Sequence, residues 1–125
     1  MDINILSERI HHTLSTLRYG ENPSELYEPI RYIMALGGKR IRPLLVLLAA
    51  KMYDNDIEKA LLPAAGVEVF HNFTLMHDDI MDKAPLRRGQ QTVHEKWNAN
   101  TAILSGDVML VRAYELFLNV EQDKL

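Results

Sequence analysis

Apolar residues recur at spacings of three and four along nearly the whole chain. Ile3, Leu6, Ile10, Leu14 and Leu17 mark one stripe of a first helix. Gly20 and Asn22-Pro23-Ser24 break it. A second helix is predicted from Leu26 or Pro29 to Leu36, stopped by Gly37-Gly38. Pro43 suits a first helical position and opens a third helix. Leu44 to Ala50 make that helix apolar all round, so burial is predicted. Asp54 to Asp56 can cap a fourth helix ending near Asp82, with Pro63 as a kink or as its start. Ala84 to Gln90 read as a basic loop between Pro85 and Gly89. A short helix at Val93 to Trp97 and a last one from Thr101 to Val120 complete the pattern. No segment alternates as a strand would.

This pattern predicts an all-α chain of about five to six helices. With 125 residues, 47% hydrophobic and 25% charged, it has globular composition and can bury a core. There are no cysteines, which removes disulfides, thiolate metal sites and cysteine nucleophiles. The net charge of −3 argues against a general nucleic-acid binder. The start, Met1-Asp2-Ile3-Asn4, has no secretory pattern, and the longest apolar run, Pro43 to Ala50, is far short of the about 20 residues of a membrane span. A cytoplasmic protein is the expectation.

The chemistry concentrates on the fourth helix. In Asp78-Asp79-Ile80-Met81-Asp82, positions 78 and 82 share one face a turn apart, whereas Asp79 points about 100° away. Two carboxylates so placed suit a hard cation with oxygen ligands, such as magnesium completed by phosphate oxygens. The alternative is a solvated acidic helix end, which the helix dipole disfavours. His71 lies two turns before Asp78 on the same face; His77 lies away from it. Gly37-Gly38-Lys39-Arg40-Ile41-Arg42-Pro43 feeds three cations into a helix start, and Arg87-Arg88-Gly89 adds two more just after the acidic end. Such loops either cradle a phosphate or form a basic surface. Acidic and basic residues this close fit a metal and a phosphate in one site. Glu68 can pair with a nearby cation.

The ordered motifs Gly-Gly-Lys-Arg-Ile-Arg-Pro, Glu-Val-Phe-His-Asn-Phe-Thr-Leu-Met-His-Asp-Asp-Ile-Met-Asp, Arg-Arg-Gly, Thr-Val-His with Trp97, and Ala-Ile-Leu-Ser-Gly-Asp-Val-Met-Leu resemble the trans-isoprenyl diphosphate (polyprenyl) synthases over Ile30 to Leu110. Gln91 stands where that family often has proline, and Asn98 where it often has glycine. The resemblance implies an antiparallel helical bundle around a deep apolar cavity and a catalytic chain more than twice as long. Residues 1–125 would then be the N-terminal portion of one such domain, lacking the second aspartate-rich motif and inactive alone. It further implies magnesium-dependent condensation of isopentenyl diphosphate with an allylic diphosphate, in a homodimer. Asp78, Asp79 and Asp82 match the first aspartate-rich motif, with Asp78 and Asp82 as metal ligands. Arg87 matches a contact to the allylic diphosphate; Lys39, Arg42, His71 and Arg88 match positions binding isopentenyl diphosphate.

Phe70 and Phe73 stack at i and i+3 and lie about 7 to 12 Å below the diphosphate site. On that resemblance they floor the cavity, with the small Thr74 beside them, and imply a short product of about fifteen to twenty carbons. Two other readings stand beside this one: a noncatalytic helical partner of such a synthase, and a helical metal-dependent phosphohydrolase using His77-Asp78.

Overall fold

In a computed structural model, residues 3–53 and 56–118 are described. Six helices and one two-strand ladder follow in order: α1 Ile3–Thr16, α2 Ser24–Ala35, α3 Ile41–Tyr53, α4 Glu58–Met81, β1 Leu86–Arg87, β2 Gln90–Gln91, α5 Val93–Lys96 and α6 Ala99–Leu118. The predicted cap at Asp54 and Asn55 and the end of the last helix at Val120 lie outside the described residues. Ile57 is the N-cap of α4, and the carboxylate of Asp56 just before it accepts the Glu58 N–H at 3.0 Å.

α4 is the central element, packed against α6 on one side and α3 and α1 on the other. One core cluster joins α2, α4, α5 and α6 through Ile30, Ile33, Val69, Met76, Val93, Met109 and Ala113. A second joins α1, α3 and α4 through Leu6, Ile10, Leu47, Leu61 and Ala64. Being covered from both sides, α4 carries apolar residues around much of its circumference. Gly66 lets α6 approach closely: a Cβ there would sit 2.8 Å from the Phe117 ring and 3.1 Å from the Ala113 carbonyl.

Several boundaries differ from the sequence reading. α2 begins at Ser24, so Pro29 lies inside it. α3 begins at Ile41, two residues before Pro43. Pro63 neither starts nor ends α4; the helix runs through it from Glu58. Pro29 and Pro63 each forgo one backbone hydrogen bond, which packing of the following turns outweighs, whereas Pro43 lies in the first turn, where the N–H has no intrahelical partner to lose. α3 is not buried all round: Pro43 and Leu47 are buried, whereas Ile41 and Leu45 are more than half exposed. α3 packs chiefly against α4 and α1, and Ile41 and Leu45 lie on the side left open. Ile3, on the predicted stripe, is likewise exposed.

The basic loop is a hairpin. Leu86 pairs with Gln91 and Arg87 with Gln90 in antiparallel register. Arg88 and Gly89 form its two-residue turn, both with positive φ (51° and 77°), the geometry of a type I′ connection. Thr92 anchors its base: its hydroxyl donates to the Ala84 carbonyl at 2.8 Å and its N–H to Pro85 at 3.1 Å. Tyr32 of α2 donates to the Gln91 carbonyl at 2.7 Å. Asn98 then caps α6, its side-chain oxygen accepting the Thr101 N–H at 2.8 Å.

Candidate functional site: two ends of one helix face

α4 ends at the acidic motif. Asp82 is its C-cap residue. Lys83 follows in the left-handed conformation (φ 53°), donating its N–H to Ile80, while Ala84 donates to Asp79. These two bonds form a Schellman motif with lysine where glycine is usual. The motif turns the chain back so that the hairpin passes beside the last turn.

The three aspartates then separate. Asp79 is buried and receives Arg87 through two parallel bonds, Nε to Oδ2 and Nη2 to Oδ1, each 2.8 Å. This fork-to-fork pair raises the affinity of the guanidinium for its proton, chiefly through the hydrogen bond to Asp79. Asp78 and Asp82 are exposed, and no hydrogen bond or ion pair among the described residues engages their side chains. Their oxygens one turn apart fit a hard dication that takes the rest of its shell from a ligand and water. Among the described residues no group of three His, Asp or Glu side chains gathers as a metal site. The His77 ring instead meets Phe73 edge-on at 6.0 Å, leaving the phosphohydrolase reading without an imidazole-lined metal site.

The basic residues come together at the other end. Lys39, Arg42, His71 and Arg88 line one cavity of about 340 Å³ between the start of α3, α4 and the hairpin. Arg42 Nη1 lies 3.2 Å from His71 Nε2. Partial burial lowers the His71 pKa below 6.5, and the neighbouring Arg42, Arg88 and Arg87 lower it further, with Glu68 opposing. Arg88 reaches back to Gly38: a Cβ on Gly38 would lie 2.9 Å from its Nη2, so the guanidinium rests against bare backbone. Gly38 has φ 142°, a conformation side chains disfavour.

Arg40, the middle cation of the triplet, and Glu68 also line this cavity, but the Arg40 charge is committed to protein partners. Arg40 is buried, pairs with buried Glu68 of α4, and donates to the Met34 carbonyl at 2.7 Å. The sequence pattern alone groups it with Lys39 and Arg42 as an anion-facing cation. Glu68, one turn before His71 and lone among apolar neighbours, was the signal for its partner.

Phe70 and Phe73 do stack, with ring centroids 5.9 Å apart. Phe70 is 39% exposed, whereas Phe73 is half-buried against the core. The Thr74 hydroxyl donates to the His71 carbonyl at 2.6 Å. Beside Phe73 and Ile80 on α4, and Gly106 and Asp107 on α6, a cavity of only about 30 Å³ remains.

The helical arrangement and this pair of sites define an isoprenoid-synthase-type helical fold. The polyprenyl synthetase family model matches residues 23–125, and the chain belongs to that family. It is 40% identical over 122 residues to a geranylgeranyl diphosphate synthase of Methanosarcina mazei, an alignment covering 98% of this chain and 38% of that protein. A short chain isoprenyl diphosphate synthase of Methanocaldococcus jannaschii is 41% identical over 123 residues, 98% of this chain and 37% of the relative. A crystal structure of a geranylgeranyl pyrophosphate synthase superposes with a TM-score of 0.91 at 49% identity, covering 99% of this chain and 38% of that one. The chain thus spans well under half the length of the relatives it matches. Among the described residues no helix is long and apolar enough to cross a membrane.

Proposed function

We propose that residues 1–125 are the N-terminal portion of a single polyprenyl synthetase domain, whose whole protein is a prenyltransferase. It condenses isopentenyl diphosphate with an allylic diphosphate to a short all-trans product. The observation that carries this reading is the pairing, along one helix of a family member, of a basic anion cavity with two exposed carboxylates. Lys39, Arg42, His71 and Arg88 hold the isopentenyl diphosphate. Asp78 and Asp82 would hold magnesium at the allylic diphosphate, and the ion would supply charge neutralisation for the departing diphosphate. Asp79 keeps Arg87 beside that diphosphate, adding preorganised positive potential.

In the reaction the allylic C–O bond breaks and diphosphate leaves with the electron pair. The double bond of isopentenyl diphosphate attacks the allylic carbon, and a proton is lost from the new cation. Apolar walls exclude water from it. Phe70 and Phe73, with Thr74 beside them, form the floor that limits the product to about fifteen to twenty carbons. The protein works as a cytoplasmic homodimer. Exposed apolar residues on α3 and α6, including Leu45, Ile103, Leu104 and Val111, are then covered by the rest of the domain or by the partner. The isolated segment turns over no substrate.

The test is calorimetry of the 125-residue chain with isopentenyl diphosphate and with inorganic pyrophosphate, each with and without magnesium. The reading requires magnesium-independent binding of the first at the basic cavity and a magnesium-dependent increment for the second. Absence of any diphosphate binding refutes it.

A further inference from the structure

Arg40 stands between Lys39 and Arg42 in the sequence and lines the same cavity, yet its guanidinium is committed to partners of the fold. Its guanidinium bridges two helices, taking the Met34 carbonyl at the end of α2 and the Glu68 carboxylate on α4. Its backbone is left-handed, φ 53°, which a side chain with a Cβ tolerates only where its surroundings hold it. Gly37 and Gly38, at φ 80° and 142°, give the preceding loop no stiffness of its own. The loop's shape therefore depends on what grips Arg40. Glu68 and His71 are neighbours on one face of α4, and they meet Arg40 and Arg42 respectively. The start of α3 is thus fixed to α4 at two points one turn apart.

We propose that Arg40 and Glu68 are a positioning pair, which anchors the glycine loop to α4 so that Lys39 and Arg42 face one diphosphate. The inference rests on the diphosphate reading above and deepens it. A buried ion pair is a poor source of stability but a good device for fixing one register among several. Buried Tyr19 lies close enough to feel both charges: burial, with Glu68 adding and Arg40 opposing, pushes its phenol up to about 12. The pair is mutually neutralising, so the positive potential of the cavity comes from Lys39, Arg42 and Arg88.

Glu68→Gln distinguishes positioning from charge counting. Removing a carboxylate from the wall of an anion cavity should by itself tighten anion binding. Loss of positioning should weaken inorganic pyrophosphate binding to the 125-residue chain, read by calorimetry, by about tenfold or more. The His71 titration, followed by NMR without ligand, provides a second sign. Glu68 raises the His71 pKa, so its loss alone lowers it; release of Arg42 from His71 raises it towards 6.5. The inference requires weaker binding and a raised His71 pKa. Unchanged or tighter binding, or a lowered pKa in a folded variant, overturns it. Should Glu68→Gln not fold, the charge-neutral double variant Arg40→Met with Glu68→Met is read against the same two outcomes. If the parent chain binds no pyrophosphate, the diphosphate reading fails, and the His71 titration alone decides the positioning role.

Discussion

Arg42 and His71 stand 3.2 Å apart, and Arg88 leans on Gly38, before any ligand arrives. Asp78 and Asp82, further along the same helix, are exposed, and Asp78 acts on Arg87 only through its charge. The basic cavity is built from three chain segments whose contacts hold like charges together. The acidic end takes its two exposed carboxylates from a single helical turn, and only Asp79 is fixed by another segment. Like charges packed into a cavity need rigid supports, since each repels the next. Two carboxylates facing water can stay mobile until a cation orders them.

That contrast is tested most strongly at the supported groups. Arg87→Leu would leave the Asp79 carboxylate buried without its fork, and the chain should lose about 3 kcal/mol of stability in urea or thermal melts. A loss as small as that of a surface ion pair would mean that water reaches Asp79 freely. Asp82→Asn should do the reverse. Its melting curve should stay at the parent's, while the magnesium-dependent part of pyrophosphate affinity should fall by about tenfold, equivalent to about 1.4 kcal/mol. Unchanged magnesium dependence would remove Asp82 from the metal assignment. Gly38→Ala combines both effects at lower amplitude: positive φ and crowding of Arg88 should cost about 1 kcal/mol and weaken pyrophosphate binding, seen by calorimetry.

The smallest effect is in pH. Because the folded His71 pKa lies below the 6.5 of the unfolded chain, the unfolded state takes its proton first as pH falls. The contribution of His71 to stability is therefore complete above 6.5 and is lost as pH drops through its depressed folded value. Bound pyrophosphate should raise that value, so anion binding tightens as pH falls through the same window. NMR titration of His71 with and without pyrophosphate measures both; a pKa unmoved by the anion would separate His71 from the cavity's ligand.

The helices were legible because three-and-four spacing is written by burial, and Leu6, Ile10, Ile30, Ile33 and Val69 are indeed buried. Helix starts were less so, because Pro29, Pro43 and Pro63 are tolerated within helices whose later turns are well packed. The hairpin at 86–91 is too short for alternation to register; its single sequence sign is Arg88-Gly89, a weaker cousin of the Asn-Gly turn. Within the site, residue type disclosed which groups are charged, and helical phase disclosed that Asp78 and Asp82 share a face. Which cation each acid would claim was not legible. Glu68 and Arg40 are 28 residues apart and Asp79 and Arg87 are eight apart, and only the fold brings either pair together. Asn98, a departure from the family's usual glycine, proved to be a cap.

α4 is one uninterrupted helix through both ends of the site, from Glu58 to Met81. It works as a ruler with fixed divisions. One residue inserted between His71 and Asp78 would swing the acidic end by about 100° and advance it by about 1.5 Å, taking the carboxylates off the shared face. A deletion would do the same in the opposite sense. Side chains along this stretch can change one at a time, but its length cannot. Insertions and deletions in the connections beyond the helix ends would leave the interval between the basic and acidic groups unaltered.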